Sequence, residues 1–393
     1  MTVKGQKTGL ARAEEICRDP AAEARRLKGQ GQRIMGYLCC YVPAEILTAA
    51  GLVPYRISGE MRRTPTLSDA HLEMIMCSFT RSAFDLALRG GYDFLDGFIV
   101  PHACDNIVAL YNVWHRSLKP PYSRFLNVPH VVSPAALEFL ESEFESFRKS
   151  LAEFTGREIS EAGLREAVAL HNENRGLVRR LYQLSRTDPP RLSGVETTRV
   201  LKAAQVLPVE ESSKLLGEVI AEVEERPAGP PSGRARIMIH GAQEDDTVFV
   251  ELVEALGAEV VIDDLCTGTR PFWHDVDPDD PPLRALAERY LDKIYCPRTL
   301  RPRQGTRQED LEARFGHIRE LARQWKADGV ILHIYRFCDI LGFDAPDLKR
   351  YLQEDGRPVL LLEDEYNLSA EARLRTRIEA FLEMIDPGRR GEG

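Results

Sequence analysis

The sequence predicts an α/β protein in which two similar doubly wound parallel-sheet domains are joined by a helical bridging segment. Three observations predict it. Two stretches repeat one another, DGFIVPHACD (Asp96 to Asp105) and DGVILHIYRFCD (Asp328 to Asp339). Each opens with Asp-Gly, runs through an apolar segment that reads as a buried strand, and ends in Cys-Asp. A second pair recurs in the same order: RIMGYLCCYVPAEILTAAGLVPYRI (Arg33 to Ile57) and RIMIHGAQEDDTVFVELVEALGAEVVI (Arg236 to Ile262). Between the two copies, about 135–225, the texture changes to Glu, Arg, Leu and Ala with apolar residues at helical spacing. Duplicated strand–helix–strand units of this kind predict two flavodoxin-like sheets.

Taken in order, residues 12–29 are charged and Ala-rich and read as an outer helix. The first α/β region spans about 30–133, where short apolar runs alternate with helical patterns. In both copies of the second repeat a helical run carries Glu and Ala at matching places (Glu45, Ala49; Glu251, Ala255). It ends at Gly51 or Gly257, the expected helix stop before the next strand. The helix after Cys77, SFTRSAFDLALR, stops at Gly90-Gly91, and Pro129 and Pro134 bracket the exit from the region.

In the middle segment Leu164, Val168, Leu177, Leu181 and Leu184 form an apolar stripe, with Ser160 before Glu161 as a helix start. PAGPPSG (Pro227 to Gly233) is the clearest boundary. DVDPDDPP (Asp275 to Pro282) reads as an exposed loop. A terminal helix, SAEARLRTRIEAFLEMI with Ser369 as its cap, closes the chain. The expected domains are therefore 1–133, 134–232 and 233–393.

At 393 residues the chain is long enough for two substantial cores. Its formal charge, 52 − 61 = −9, argues against a broad nucleic-acid surface. No apolar stretch approaches the roughly 20 residues needed to span a bilayer, so no membrane is expected. MTVKGQKTGLARAEEICRDP lacks an apolar signal core, which makes the cytoplasm the expected compartment. There the eight cysteines are not expected to form disulfides.

Ligands bind outside the carboxyl ends of the strands in an open parallel sheet. Cys104 and Cys338 fall there, each at a strand-to-helix junction, and Cys77 directly precedes a helix. A helix N-terminus stabilises a thiolate, the form that binds metal. A lone buried cysteine is more simply core, but a Cys-Asp repeated at equivalent strand ends favours a ligand set. Three cysteines from distant segments leave one coordination position open. Of the adjacent pair Cys39-Cys40, Cys40 is the candidate fourth ligand. Cys266 follows a third apolar strand near the same rim and is the weaker candidate. Cys17 and Cys296 read as non-functional.

No C-x-x-C pair, P-loop, G-x-G-x-x-G, G-x-S-x-G or H-E-x-x-H occurs. The loop equivalent to a dinucleotide-binding turn reads HGAQEDD, whose acids would repel a pyrophosphate. His102 and His333 lie near the repeated strands and read as satisfied core histidines. Arg270 and Arg336 lie near strand ends, where surface salt bridges account for them.

YVPAEILTAAGLVPYRISG (Tyr41 to Gly59), Cys77 before a helix, VPHACDN (Val100 to Asn106), GAEVVIDDLCTGTR (Gly257 to Arg270), DGVILHIYRFCD and RTRIEAFLEMI (Arg375 to Ile385) together resemble the 2-hydroxyacyl-CoA dehydratase and benzoyl-CoA reductase family. The resemblance covers about Gly36 to Ile385. It implies a cytoplasmic iron–sulfur subunit whose [4Fe-4S] cluster is held by Cys77, Cys104 and Cys338. It also implies a paralogous sister subunit, a separate ATP-hydrolysing iron–sulfur activator that injects low-potential electrons, and an acyl-CoA substrate.

The implied chemistry is a ketyl-type radical at the thioester carbonyl, leading to loss of water or to reduction of an aromatic ring. GYLCCYVPAE and EDEYN (Glu363 to Asn367) look closer to the smaller reductase subunit and the dehydratase β subunit. Benzoyl-CoA reduction is therefore the first expectation and 2-hydroxyacyl-CoA dehydration the second. A zinc-binding or non-catalytic assembly subunit on the same scaffold is the alternative of another class.

Overall fold

The computed structural model describes residues 8–227, 229–303 and 305–385. The first seven residues of the N-terminal stretch and Ala228 of the boundary cluster lie outside the described residues.

Two helices, α1 (Gly9–Arg18) and α2 (Pro20–Gly29), stand where one helix over 12–29 was expected. Pro20 accounts for the break. It has no N–H to give to the preceding turn, yet it suits the first position of a new helix, which Asp19 caps by accepting from the Ala22 N–H.

The first sheet follows: β1 (Arg33–Tyr37), α3 (Ala44–Ala49), β2 (Leu52–Arg56), α4 (Ser78–Leu88), β3 (Gly97–Pro101), α5 (Asp105–Leu118) and β4 (Tyr122–Leu126). Four helices come next, α6 (Pro134–Thr155), α7 (Glu161–Gln183), α8 (Gly194–Ala204) and α9 (Val209–Glu224). Ser160 caps α7 by accepting from the Gly163 N–H, as its place before Glu161 suggests.

The second sheet region contains β5 (Ala235–Gly241), α10 (Val248–Ala255), β6 (Ala258–Asp264), α11 (Pro282–Glu288), α12 (Arg307–Gln324), β7 (Gly329–Tyr335), α13 (Asp339–Glu354), β8 (Val359–Asp364) and α14 (Glu371–Ile385). Ser369 lies in a short 3₁₀ turn before α14, and its N–H donates to Asn367 Oδ1. It is not the cap expected from the sequence.

Both sheets are wholly parallel and share one strand order, β2-β1-β3-β4 and β6-β5-β7-β8. This is the doubly wound α/β architecture read from the repeats. Strands β5, β6 and β7 are buried along their whole length because helices cover both faces. In each sheet the strand order reverses between the first strand and its third-in-sequence neighbour, so the loops after β1, β3, β5 and β7 flank the switch points where ligands bind.

The repeats align one residue away from the Arg-Ile-Met match. Met35 pairs with Gly97 and Ile237 with Gly329, which makes Ile34 equivalent to Arg236. The Asp-Gly openings confirm this register. Asp96 Oδ2 accepts from the Ile34 N–H at 2.8 Å, and Asp328 Oδ2 accepts from the Arg236 N–H at 2.8 Å. A one-residue slip changes the face a side chain presents, so Arg33 and Arg236 are not counterparts. Arg33 reaches the carbonyls of Phe154 and Thr155, whereas Arg236 reaches those of Ser185 and Trp325.

Candidate metal centre

Cys77, Cys104 and Cys338 are the N-cap residues of α4, α5 and α13. The strand ends and helix starts that carry them converge, and all three line one cavity of about 100 Å³. Leu38, Phe79, Ile107, Tyr335 and Leu341 supply part of its largely apolar wall. Each sulfur faces the first backbone N–H groups of its own helix: Phe79 and Thr80 for Cys77, Asn106 and Ile107 for Cys104, Leu341 for Cys338. Burial pushes each thiol up to about 12, and the helix N–H groups act in the opposite sense.

Asn106 ties the three loops together, and sequence reasoning missed it. Its Oδ1 accepts from the Cys77 N–H at 2.9 Å and its Nδ2 donates to the Phe337 carbonyl at 3.1 Å. One side chain two residues after Cys104 thus holds the backbone at Cys77 and beside Cys338. The only sequence signal was its place in VPHACDN.

Of the adjacent pair, Cys39 lines the cavity, together with Cys266 and Cys296. Cys40 is 4% exposed and sits behind the wall, in an apolar cluster against which Cys39, Cys266 and Cys296 pack. Cys40 is therefore not placed beside Cys77, Cys104 and Cys338 as the fourth ligand expected from the sequence. Cys296, read there as an ordinary cysteine, joins the cavity.

Two arginines reach this side. Arg270 is buried, not a surface ion-pairing residue. It grips Asp264 through Nε at 2.9 Å and Nη2 at 2.8 Å, and its Nη1 donates to Cys266 Sγ at 3.4 Å. Hydrogen bonds from Cys296 and Cys40, with Arg270 and Arg56 behind them, hold the Cys266 thiol well below its ordinary range. Arg298 lies across Tyr41, 4.6 Å from the ring centre, and bonds the carbonyls of His102 and Val128 at 2.8 Å each. Arg336 is an exposed residue 3.8 Å from Glu365, as the sequence suggests.

His333 is a core histidine. It stacks on Phe249 at 3.8 Å and shares a 2.5 Å hydrogen bond with Glu244. Two of the three acids of HGAQEDD, Glu244 and Asp245, are buried as well. Glu244 also accepts from Tyr335, and Asp245 accepts from Tyr366 and from the Gly59 N–H. They fasten the second sheet's first loop to the rest of the molecule.

Among the described residues no group of three or more His, Cys, Asp and Glu side chains forms a single-ion site. No helix of the described residues is long and apolar enough to cross a membrane.

The family model of the 2-hydroxyglutaryl-CoA dehydratase D-component matches residues 39–385. The chain belongs to this family. Among its relatives, the lactoyl-CoA dehydratase β subunit of Anaerotignum propionicum is 26% identical over 96% of this chain and 98% of its own length. A benzoyl-CoA reductase subunit of Thauera aromatica is 26% identical over 96% and 97%. The (R)-2-hydroxyglutaryl-CoA dehydratase β subunit of Acidaminococcus fermentans is 25% identical over 95% and 97%. This member of the dehydratase family is accordingly an enzyme subunit, matched along nearly its whole length.

Proposed function

We propose that this chain carries a [4Fe-4S] cluster on Cys77, Cys104 and Cys338 and works as one subunit of an enzyme that reduces an acyl-CoA thioester with low-potential electrons. The observation that carries the reading is the meeting of these three cysteines, each at a helix N-terminus, on one largely apolar cavity. The donor set fits: three sulfurs, backbone N–H groups beside each, and walls that limit water. When bound, such a cluster supplies one electron at a time, its potential set by burial and by hydrogen bonds to sulfur.

The chain's own residues position and shield. Asn106 holds the Cys77 and Cys338 loops, and Tyr335 and Leu341 close the apolar wall. Relatives named as subunits support a sister subunit. Met74, Ile75, Phe337 and Phe343, close in sequence to Cys77 and Cys338, are 69%, 70%, 42% and 83% exposed and offer it an apolar contact. A separate ATP-hydrolysing activator completes the reading, since the sequence carries no P-loop.

Dearomatising reduction of an aromatic acyl-CoA is the reaction proposed first, in line with the reductase subunit among the relatives. Dehydration of a 2-hydroxyacyl-CoA is the second reading, favoured by the matching family model and by the lactoyl-CoA relative. The test is anaerobic purification with the neighbouring subunit, iron and sulfide analysis, and EPR, followed by assays with benzoyl-CoA and with lactoyl-CoA. Iron and sulfide lost on Cys104→Ser or Cys338→Ser support the cluster. An iron-free, colourless complex sinks it and favours the assembly-subunit alternative.

A further inference from the structure

Four cysteines that the proposed centre does not use lie together, three lining the same cavity and Cys40 behind its wall. Cys39 and Cys40 follow β1, Cys266 follows β6, and Cys296 precedes α12. Cys40 belongs to an apolar cluster against which Cys39, Cys266 and Cys296 pack. All four are free thiols. Cys39, Cys266 and Cys296 share the cavity wall with Cys77, Cys104 and Cys338.

Buried cysteines are often only small hydrophobes, and Cys40 does pack in an apolar cluster. Three observations go beyond that. First, Arg56 is 4% exposed and makes no ion pair with a carboxylate among the described residues. Its Nη2 donates to Gln243 Oε1 at 3.1 Å, while its Nε has no partner. The groups that face this cation electrostatically are Tyr37, Cys39, Cys266 and Cys40. A buried guanidinium without a counter-charge is costly, and thiolates at these cysteines would supply one.

Second, Arg270 donates directly to Cys266 Sγ. Third, Cys39 has φ 68°, a left-handed backbone that is strained for a non-glycine residue. That backbone accompanies the adjacent thiols of Cys39 and Cys40 in a single group.

We propose that Cys39, Cys40, Cys266 and Cys296 form a second thiolate site that takes its own iron–sulfur centre beside the one on Cys77, Cys104 and Cys338. The iron–sulfur identity of the centre follows from the reading under Proposed function, and a lone tetrahedral zinc ion on the same thiols is the competing outcome of the test. Arg56 and Arg270 offset the thiolate charge from the protein side.

The inference deepens the reading under Proposed function and rests on it for the identity of the metal. The test is iron and sulfide content with Mössbauer spectroscopy on the full chain, purified anaerobically and reconstituted with ferrous iron and sulfide. Expected is about twice the iron of one [4Fe-4S] centre, roughly eight per chain. The double variant Cys266→Ser/Cys296→Ser should lose about half of it, with the circular dichroism unchanged.

A wild-type count of about four, lost with Cys104→Ser/Cys338→Ser, overturns the second site whether or not the other variant folds. Bound zinc removed by Cys266→Ser overturns the iron assignment. Iron that survives Cys104→Ser/Cys338→Ser and disappears with Cys266→Ser/Cys296→Ser upholds the second site and defeats the first.

Discussion

Asn106 is the residue whose removal separates positioning from ligation. It touches no proposed substrate and contributes no sulfur, but both its amide atoms are engaged by loops that carry cysteines. Asn106→Ala should cost about 1 kcal/mol for each hydrogen bond lost and leave the fold intact. It should speed removal of iron by a chelator several-fold. Asn106→Asp keeps the acceptor for the Cys77 N–H and loses the donor to Phe337, so its effect should be intermediate. Iron release at the wild-type rate in Asn106→Ala would remove the positioning role.

Glu45 makes the corresponding argument for stability. It is fully buried, accepting from Arg175 Nη1 at 2.7 Å and from Tyr290 Oη at 2.8 Å. Burial alone would raise its pKa, but Arg175, His171 and Arg289 outweigh burial and hold it down to about 2, from an ordinary 4.5. A carboxyl depressed in the folded state stabilises it above the unfolded value. That contribution is lost as pH falls from about 4.5 towards 2, and it amounts to roughly 3 kcal/mol. Glu45→Gln should destabilise the protein by about 3–5 kcal/mol at neutral pH, because Arg175 is left buried beside a neutral amide. Urea titrations between pH 7 and pH 3 should also show a flatter acid limb than wild type.

At the scale of elements, the repeat was legible because the same local physics recurs in each copy. Gly51 and Gly257 end α3 and α10 with φ of 72° and 93°, a backbone that favours glycine. Gly97 and Gly329 open β3 and β7 where a side chain would strike a neighbour. A Cβ on Gly329 would stand 2.7 Å from Phe381 Cζ, against α14. Gly329→Ala should therefore cost about 1–3 kcal/mol through overpacking, read as a lower denaturant midpoint with an unchanged slope.

What misled the sequence reading was identity without register. Arg-Ile-Met occurs twice, yet ladder pairing sets Arg236 against Ile34, and three matching letters carry no information about which face they occupy. Glu45 and Glu251 match in the repeat and differ in role. The first is a buried ion-pair member, while the second is half-exposed and pairs with Arg199 at 3.0 Å. The outer helix broke at Pro20 for a local reason that was visible in the sequence.

At the scale of the whole molecule, Cys77, Cys104 and Cys338 could be read from strand ends and helix starts because each depends on its own neighbourhood. The gathering of Cys39, Cys40, Cys266 and Cys296 could not. Cys296 follows no strand, and its place depends on how the segment after α11 returns to β1. Arg56 carries no motif either. Its meaning comes from being buried opposite sulfur.

The same scale holds the sister-subunit prediction. Phe343 lies one turn into α13, whose N-cap is Cys338, and Ile75 lies two residues before Cys77, so a partner covering both would also close the cavity to water. Burying each side chain is worth about 1.5–3 kcal/mol. Ile75→Glu and Phe343→Glu should therefore each weaken association with the co-expressed sister subunit by at least tenfold, measured by sedimentation, and leave iron per chain unchanged. Both residues are exposed, so the variants should fold as wild type does. Undiminished association in both variants would place the partner on another face, and iron lost together with association would mean that the partner, rather than this chain's own loops, holds the centre in place.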